Sequence, residues 1–164
     1  MSWNARHVWA VGEILTASAH NSNDSDLDYI PPEWDYAQIT ANVSITATTE
    51  ATAQAVVTGN SVTYDGGRVQ VECFFPGFDG GQARLVFLRD TTVLGDVYNS
   101  NAGGNPAQAV GLSGRVFDTP TAAAHTYAVK AFSTGATCTV NAGPGGSGSF
   151  VPGFLRVTAA KAHP

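Results

Sequence analysis

Few side chains in this sequence are spaced for chemistry. Glu72 and Asp96 are the carboxylates to test for glycoside hydrolysis, which needs an acid and a base on either side of one bond. They come from distant strand-like runs, and each also reads as part of a polar outer face. Asp24, Asp26 and Asp28 alternate like calcium ligands, but the central Gly and distal Glu of an EF-hand loop are missing, so a solvated turn is expected. His7, His20 and His163 fall near the ends of the chain and His125 stands before a strand. None has a second ligand at metal spacing, so no metal or other cofactor is expected. No Gly-x-Ser-x-Gly elbow occurs, and Gly143-Pro144-Gly145-Gly146-Ser147-Gly148 lacks the Lys of a phosphate loop. The expectation is a protein that is not an enzyme.

Cys73 shares the apolar parity of Val69 and Val71, and Cys138 that of Val140. Two cysteines make no disulfide framework, and they read as small buried hydrophobes. The alternative is that they face each other across adjacent strands and oxidise outside a cell.

A chain of 164 residues has room for one well-formed core. Charged residues make up only 13%, about half of the usual share, which predicts that part of the outer surface is covered by self-association. A formal net charge of -5 and scattered Lys and Arg argue against nucleic acid, whose phosphates need a basic stripe. No apolar run is long enough for a membrane helix. The start, Met1-Ser2-Trp3-Asn4-Ala5-Arg6, lacks the apolar core of a signal peptide, which predicts synthesis in a cytoplasm.

Residues 1–35 read as an N-terminal arm. It carries Trp3, Trp9, Ile14 and Leu15 as apolar anchors, then a polar turn-rich stretch, then Pro31-Pro32. From Tyr36 the period becomes two. Ile39, Ala41, Val43 and Ile45 share one face, predicting a half-buried strand. About ten short strands follow at the regular spacing of a β-sandwich, over a head of residues 36–164. Ala83 to Leu88 is apolar on both parities apart from Arg84, so both of its faces should be covered. The Gly- and Pro-rich stretches 76–81, 99–106 and 143–149 read as loops.

Phe74 has the parity of Gln70 and Glu72, and Phe132 that of Ala128 and Lys130, so both are expected to point outward. Outward aromatics on a sandwich favour a subunit interface over a ligand surface.

Two resemblances accompany this reading. Phe150-Val151-Pro152-Gly153-Phe154-Leu155 and the turn Tyr64-Asp65-Gly66-Gly67 resemble the trimeric jelly rolls of the tumour necrosis factor and complement globular-head type. That resemblance implies an all-β jelly-roll head forming a homotrimer, with Phe150 and Phe154 close to the three-fold axis; Phe74 and Phe132 are expected in the trimer interface from their outward parity. Trp9-Ala10-Val11-Gly12-Glu13-Ile14-Leu15-Thr16-Ala17-Ser18 resembles the opening segment of small virion proteins of tailed bacteriophages, the minor tail proteins. It implies an arm docking into other virion proteins, and a head displayed on the tail of a particle assembled in the host cytoplasm. Contact with a host-surface glycan or protein would then fall to the exposed loops 76–81 and 99–106, with Phe78 and Tyr98 as the surface-contact residues. A capsid decoration protein and a carbohydrate-binding or carbohydrate-active head are the rival expectations.

Overall fold

The computed structural model describes residues 31–80, 82–99, 109–145 and 148–160. Contacts divide the chain into Met1–Pro32 and Glu33–Pro164, and the described residues of the second unit are all-β apart from one short turn of helix. The first strand, β1 (Glu33–Ile39), starts earlier than the expected Tyr36, because Trp34 packs against the core and Asp35 is buried. After it come β2 (Val43–Ile45), a single 3-10 turn at Glu50–Thr52, β3 (Gln54–Thr58) and β4 (Val62–Thr63). The long β5 (Val69–Gly80) precedes β6 (Ala83–Arg89), β7 (Thr92–Asn99) and β8 (Ala109–Asp118). The series ends with β9 (Ala124–His125), β10 (Tyr127–Ser133), β11 (Cys138–Asn141), β12 (Pro144–Gly145), β13 (Gly148–Ser149) and β14 (Gly153–Ala159).

Two antiparallel sheets face each other. One has six strands, with β14 and then β1 on one edge of β5, β11 and then β2 further along that same edge, and β8 on the other edge; the second has the order β3-β10-β6-β7. Counting β1, β3, β5, β6, β7, β8, β10 and β14 as A to H, the sheets read A-H-C-F and B-G-D-E. That is the jelly-roll order, in which two Greek keys close a sandwich. The expected fold class is therefore present.

The core follows from alternation. Val69, Val71, Cys73 and Phe75 of β5 are buried against Leu85 and Phe87 of β6 and Tyr127, Val129 and Ala131 of β10. Each large apolar side chain removed from water contributes roughly 1.5–3 kcal/mol. Both faces of β6 are covered, as its composition predicts: Val86 and Leu88 are buried as well as Leu85 and Phe87.

Other expectations change, and one alternative falls. The alternating run from Ile39 to Ile45 is two strands, β1 pairing with β14 and β2 with β11. Residues 76–80 are not a loop: β5 runs through them, with Gly77 and Phe78 pairing on one edge with Asn141 and Val140 and on the other with Val110 and Ala109. Pro76 is tolerated because it falls between the stretch of β5 held by β14 and the stretch held by β11, where its missing N–H costs the ladder little. Cys73 and Cys138 do not face each other. Cys138 lies opposite Gly80, so the two are separated by seven positions along β5, roughly 23 Å, far beyond disulfide reach. Both are free and buried, as the simpler reading expects.

Candidate interaction face

Because Val71, Cys73 and Phe75 point into the sandwich, Gln70, Glu72 and Phe74 must point out of it. Register then assembles a surface from four strands. Gln38, Phe154, Phe74 and Ser113 form one row across β1, β14, β5 and β8. Tyr36, Arg156, Glu72 and Arg115 form the next, and Thr158, Gln70 and Phe117 a third.

The aromatic rings on this face touch. Tyr36 stacks on Phe154 with centroids 5.8 Å apart, and Phe154 meets Phe74 at 6.1 Å. Tyr36 is 44% exposed and Phe117 45%, high for rings that a soluble sheet normally hides. Beside them Glu72 accepts from the Arg156 guanidinium at 2.6 Å and from the Gln70 amide at 3.1 Å. A shallow depression of about 550 Å³ opens between Phe74, Phe154, Ser113 and Arg115. Gly114 helps to form its floor, and a Cβ there would lie 2.7 Å from Val97, so only glycine lets β8 sit this close to β7.

The expected site residues separate into groups. Phe74 and Phe154 come together on this face. Phe150 is half-buried and packs beside Gly77 rather than joining the row. Phe132 is a correction: it lies on the opposite sheet and is only 5% exposed. The 3-10 turn lies against β10, and Arg84, held by Glu50 and Asp96, reaches over the Phe132 ring at 5.9 Å. Its parity is outward, but its own chain covers it, so a neighbouring copy has little of it to touch. Phe78 is a second correction, being 1% exposed in the core with its ring 5.7 Å from Tyr98. Tyr98 is half-buried against the same core. Trp3, Trp9, Ile14 and Leu15, together with His7, His20, His163 and the acidic turn at Asp24, lie outside the described residues.

The sequence reading missed a polar cluster between β6, β9 and β10. Asp90 Oδ2 meets His125 Nδ1 at 2.7 Å, and His125 Nε2 meets Thr121 Oγ1 at 2.9 Å. Asp90 Oδ1 also accepts from the Thr126 N–H at 2.9 Å. The His125 bond, then the Thr126 bond, hold the Asp90 carboxyl below its ordinary range. Carboxylate, imidazole and hydroxyl stand in the order of a nucleophilic relay. The Ala123 N–H beside Thr121 bonds back to the Thr121 carbonyl, so it is not free to stabilise an oxyanion. The contacts instead clasp the β6–β7 turn, where Asp90 takes φ 54°, to the start of β10. Next to it Arg89 grips Asp118 through both carboxylate oxygens, at 2.9 and 2.7 Å, and the Tyr127 hydroxyl donates to the same group at 2.8 Å. Burial, then the Asp118 bond, push the Tyr127 phenol upward. The only advance signal was the lone His125 at a strand start, and spacing alone could not reveal partners 35 residues away.

No protein-family model matches this chain, and no curated protein matches it. Among the described residues no cluster of His, Cys, Asp and Glu is arranged to hold a metal ion, and no helix is long and apolar enough to cross a membrane.

Proposed function

We propose that this protein is a non-enzymatic structural component of a bacteriophage virion. In this reading it is a homotrimeric jelly roll, anchored through its N-terminal arm and displayed on the tail, where it meets the host surface. One observation carries the reading: the touching aromatic row Tyr36, Phe154 and Phe74 on the outside of the β1-β14-β5-β8 sheet. A ring-bearing sheet face in a chain with so few charges is what a neighbouring subunit covers well. A stable contact takes about 800 Å² from each partner, within the scope of one sheet face. Around a three-fold axis the contact is head-to-tail, so each copy sets this face against a different edge of its neighbour and the ring closes without open ends.

The fold and the resemblances in the arm and at Phe150 to Leu155 support the same assignment. The test has two steps. Light scattering on the intact chain should give a mass near three times 17.0 kDa. Deleting residues 1–30 should leave the head a trimer while abolishing its incorporation into particles. A monomeric intact chain overturns the trimer, and normal incorporation of the truncated head overturns the anchor.

A further inference from the structure

Arg68 and Arg115 converge on one ring. The Arg68 guanidinium carbon lies 4.3 Å from the centroid of Phe117, and that of Arg115 lies 5.7 Å from it. All three side chains are exposed. Two cations gathered on one ring repel each other, and a carboxylate beside them would relieve that repulsion. Here the nearby carboxylates are engaged elsewhere. Glu72, the cross-strand partner of Arg115, is bound by Arg156 and Gln70. Asp118 points to the other side of β8, where Arg89 and Tyr127 hold it. Among the described residues no carboxylate pairs with Arg68 or Arg115. The Phe117 π-face partly offsets their repulsion and orients the guanidinium planes, leaving N–H forks free for an oxyanion.

We infer that Arg68, Phe117 and Arg115 form a binding site for the carboxylate groups of an acidic polysaccharide. The occupant follows from charge. The chain carries a net -5, so a dense polyanion such as nucleic acid is repelled at long range even where two arginines attract it locally. A polymer with isolated acid groups on otherwise neutral sugars carries far fewer charges per unit length and is repelled less. The surroundings suit sugars as well: Gln70 sits directly opposite Phe117 and places an amide beside the ring. Gln70 is four positions from Phe74 along β5, roughly 13 Å, so the site is at one end of the face and the aromatic row at its middle. The acidic polysaccharide would be the host contact, and only its source rests on the proposed function.

The probe is a hyaluronan decasaccharide, with a carboxylate on alternate sugars, titrated into the intact chain by calorimetry at low and moderate salt. Neutral dextran and inorganic phosphate are titrated in parallel. Binding of hyaluronan, none of dextran, and at least about tenfold weakening in each of Arg68→Gln and Arg115→Gln are expected, the usual loss of a charge-assisted fork. Phe117→Leu, which keeps both charges, should weaken binding less than either. Both arginines are exposed, so the variants should fold, and circular dichroism checks this. Absence of hyaluronan binding, or equal binding by the double Arg68→Gln/Arg115→Gln variant, overturns the site. Phosphate binding as tightly as hyaluronan makes it a simple anion site and overturns the polysaccharide. If the double variant changes the solution mass, the arginines belong to the contact between copies and the inference falls while the oligomer stands.

Discussion

Phe74 of β5 and Phe154 of β14 are direct cross-strand partners on the solvent side of their sheet, with ring centroids 6.1 Å apart. Neither ring contributes to the core between the sheets. Replacing both by Ala should therefore spare the fold, with an unfolding midpoint lowered by only a few degrees. The oligomer should respond far more. If the parent forms the proposed trimer, the Phe74→Ala/Phe154→Ala double variant should sediment as a monomer. A trimer that survives both changes would move the contact off this face.

The Tyr64 hydroxyl makes the opposite case. Tyr64 is 2% exposed, between the rings of Trp34 and Tyr127, and its oxygen has no hydrogen-bond partner. Burial, then the Asp35 carboxylate, drive its phenol upward, so it stays protonated. An unsatisfied buried hydroxyl is a cost carried by the native state. Tyr64→Phe keeps the ring packing and removes that cost, so urea denaturation should show a gain of about 1 kcal/mol. A loss of similar size would mean that ordered water serves the oxygen.

Asp90 gives a dependence on acidity. Its carboxyl is lowered in the folded state by His125 and Thr126, so ionised Asp90 favours folding above the ordinary carboxylate pKa. That contribution fades as pH falls through the lowered folded value. The side chain is 48% exposed, so solvent screens it, and Asp90→Asn should cost less than about 1 kcal/mol at neutral pH. Urea midpoints of the two proteins should converge as pH drops below the ordinary carboxylate range. A gap that persisted undiminished into strong acid would contradict the assignment.

The cysteines should be inert. Burial is the main cause that pushes the Cys73 thiol up to about 12 and the Cys138 thiol up to about 11, so thiolate is scarce at neutral pH. Iodoacetamide at pH 8 should leave both unlabelled in the native protein and modify both in urea, as read by mass spectrometry. Rapid native labelling of either would show that its strand opens readily.

Much of the fold was readable because alternation is a local signal. Val69, Val71, Cys73 and Phe75 announce the inner face of β5 from their spacing alone, and the opposite parity places Phe74 outside. Asp65-Gly66-Gly67 is equally local: Asp65 Oδ1 accepts the Gly67 N–H at 2.7 Å, and Gly66 takes φ 88°. What failed was whatever depends on distant partners. Residues 76–80 have loop composition but become strand because β8 and β11 offer backbone partners on both sides. Phe132 has outward parity, but the turn that hides it comes some eighty residues earlier. The Asp90–His125 clasp and the Arg68–Phe117–Arg115 group are likewise products of register.

The order in which β5 finds its neighbours sets a schedule for synthesis. β1 is made first in the head, yet its ladder partner is β14, and the edge of β5 from Val69 to Phe74 awaits the same strand. On the ribosome β1 must remain unpaired while more than a hundred residues emerge between Ile39 and Gly153, and that edge of β5 waits with it. Such non-local closure is slow and leaves strand edges open to other nascent chains. Neighbouring ribosomes on one message would hold several of these open edges close together. A chaperone that shields β1 and β5 until β14 arrives should therefore raise the yield of correctly assembled heads more than slower unfolding of the finished protein would.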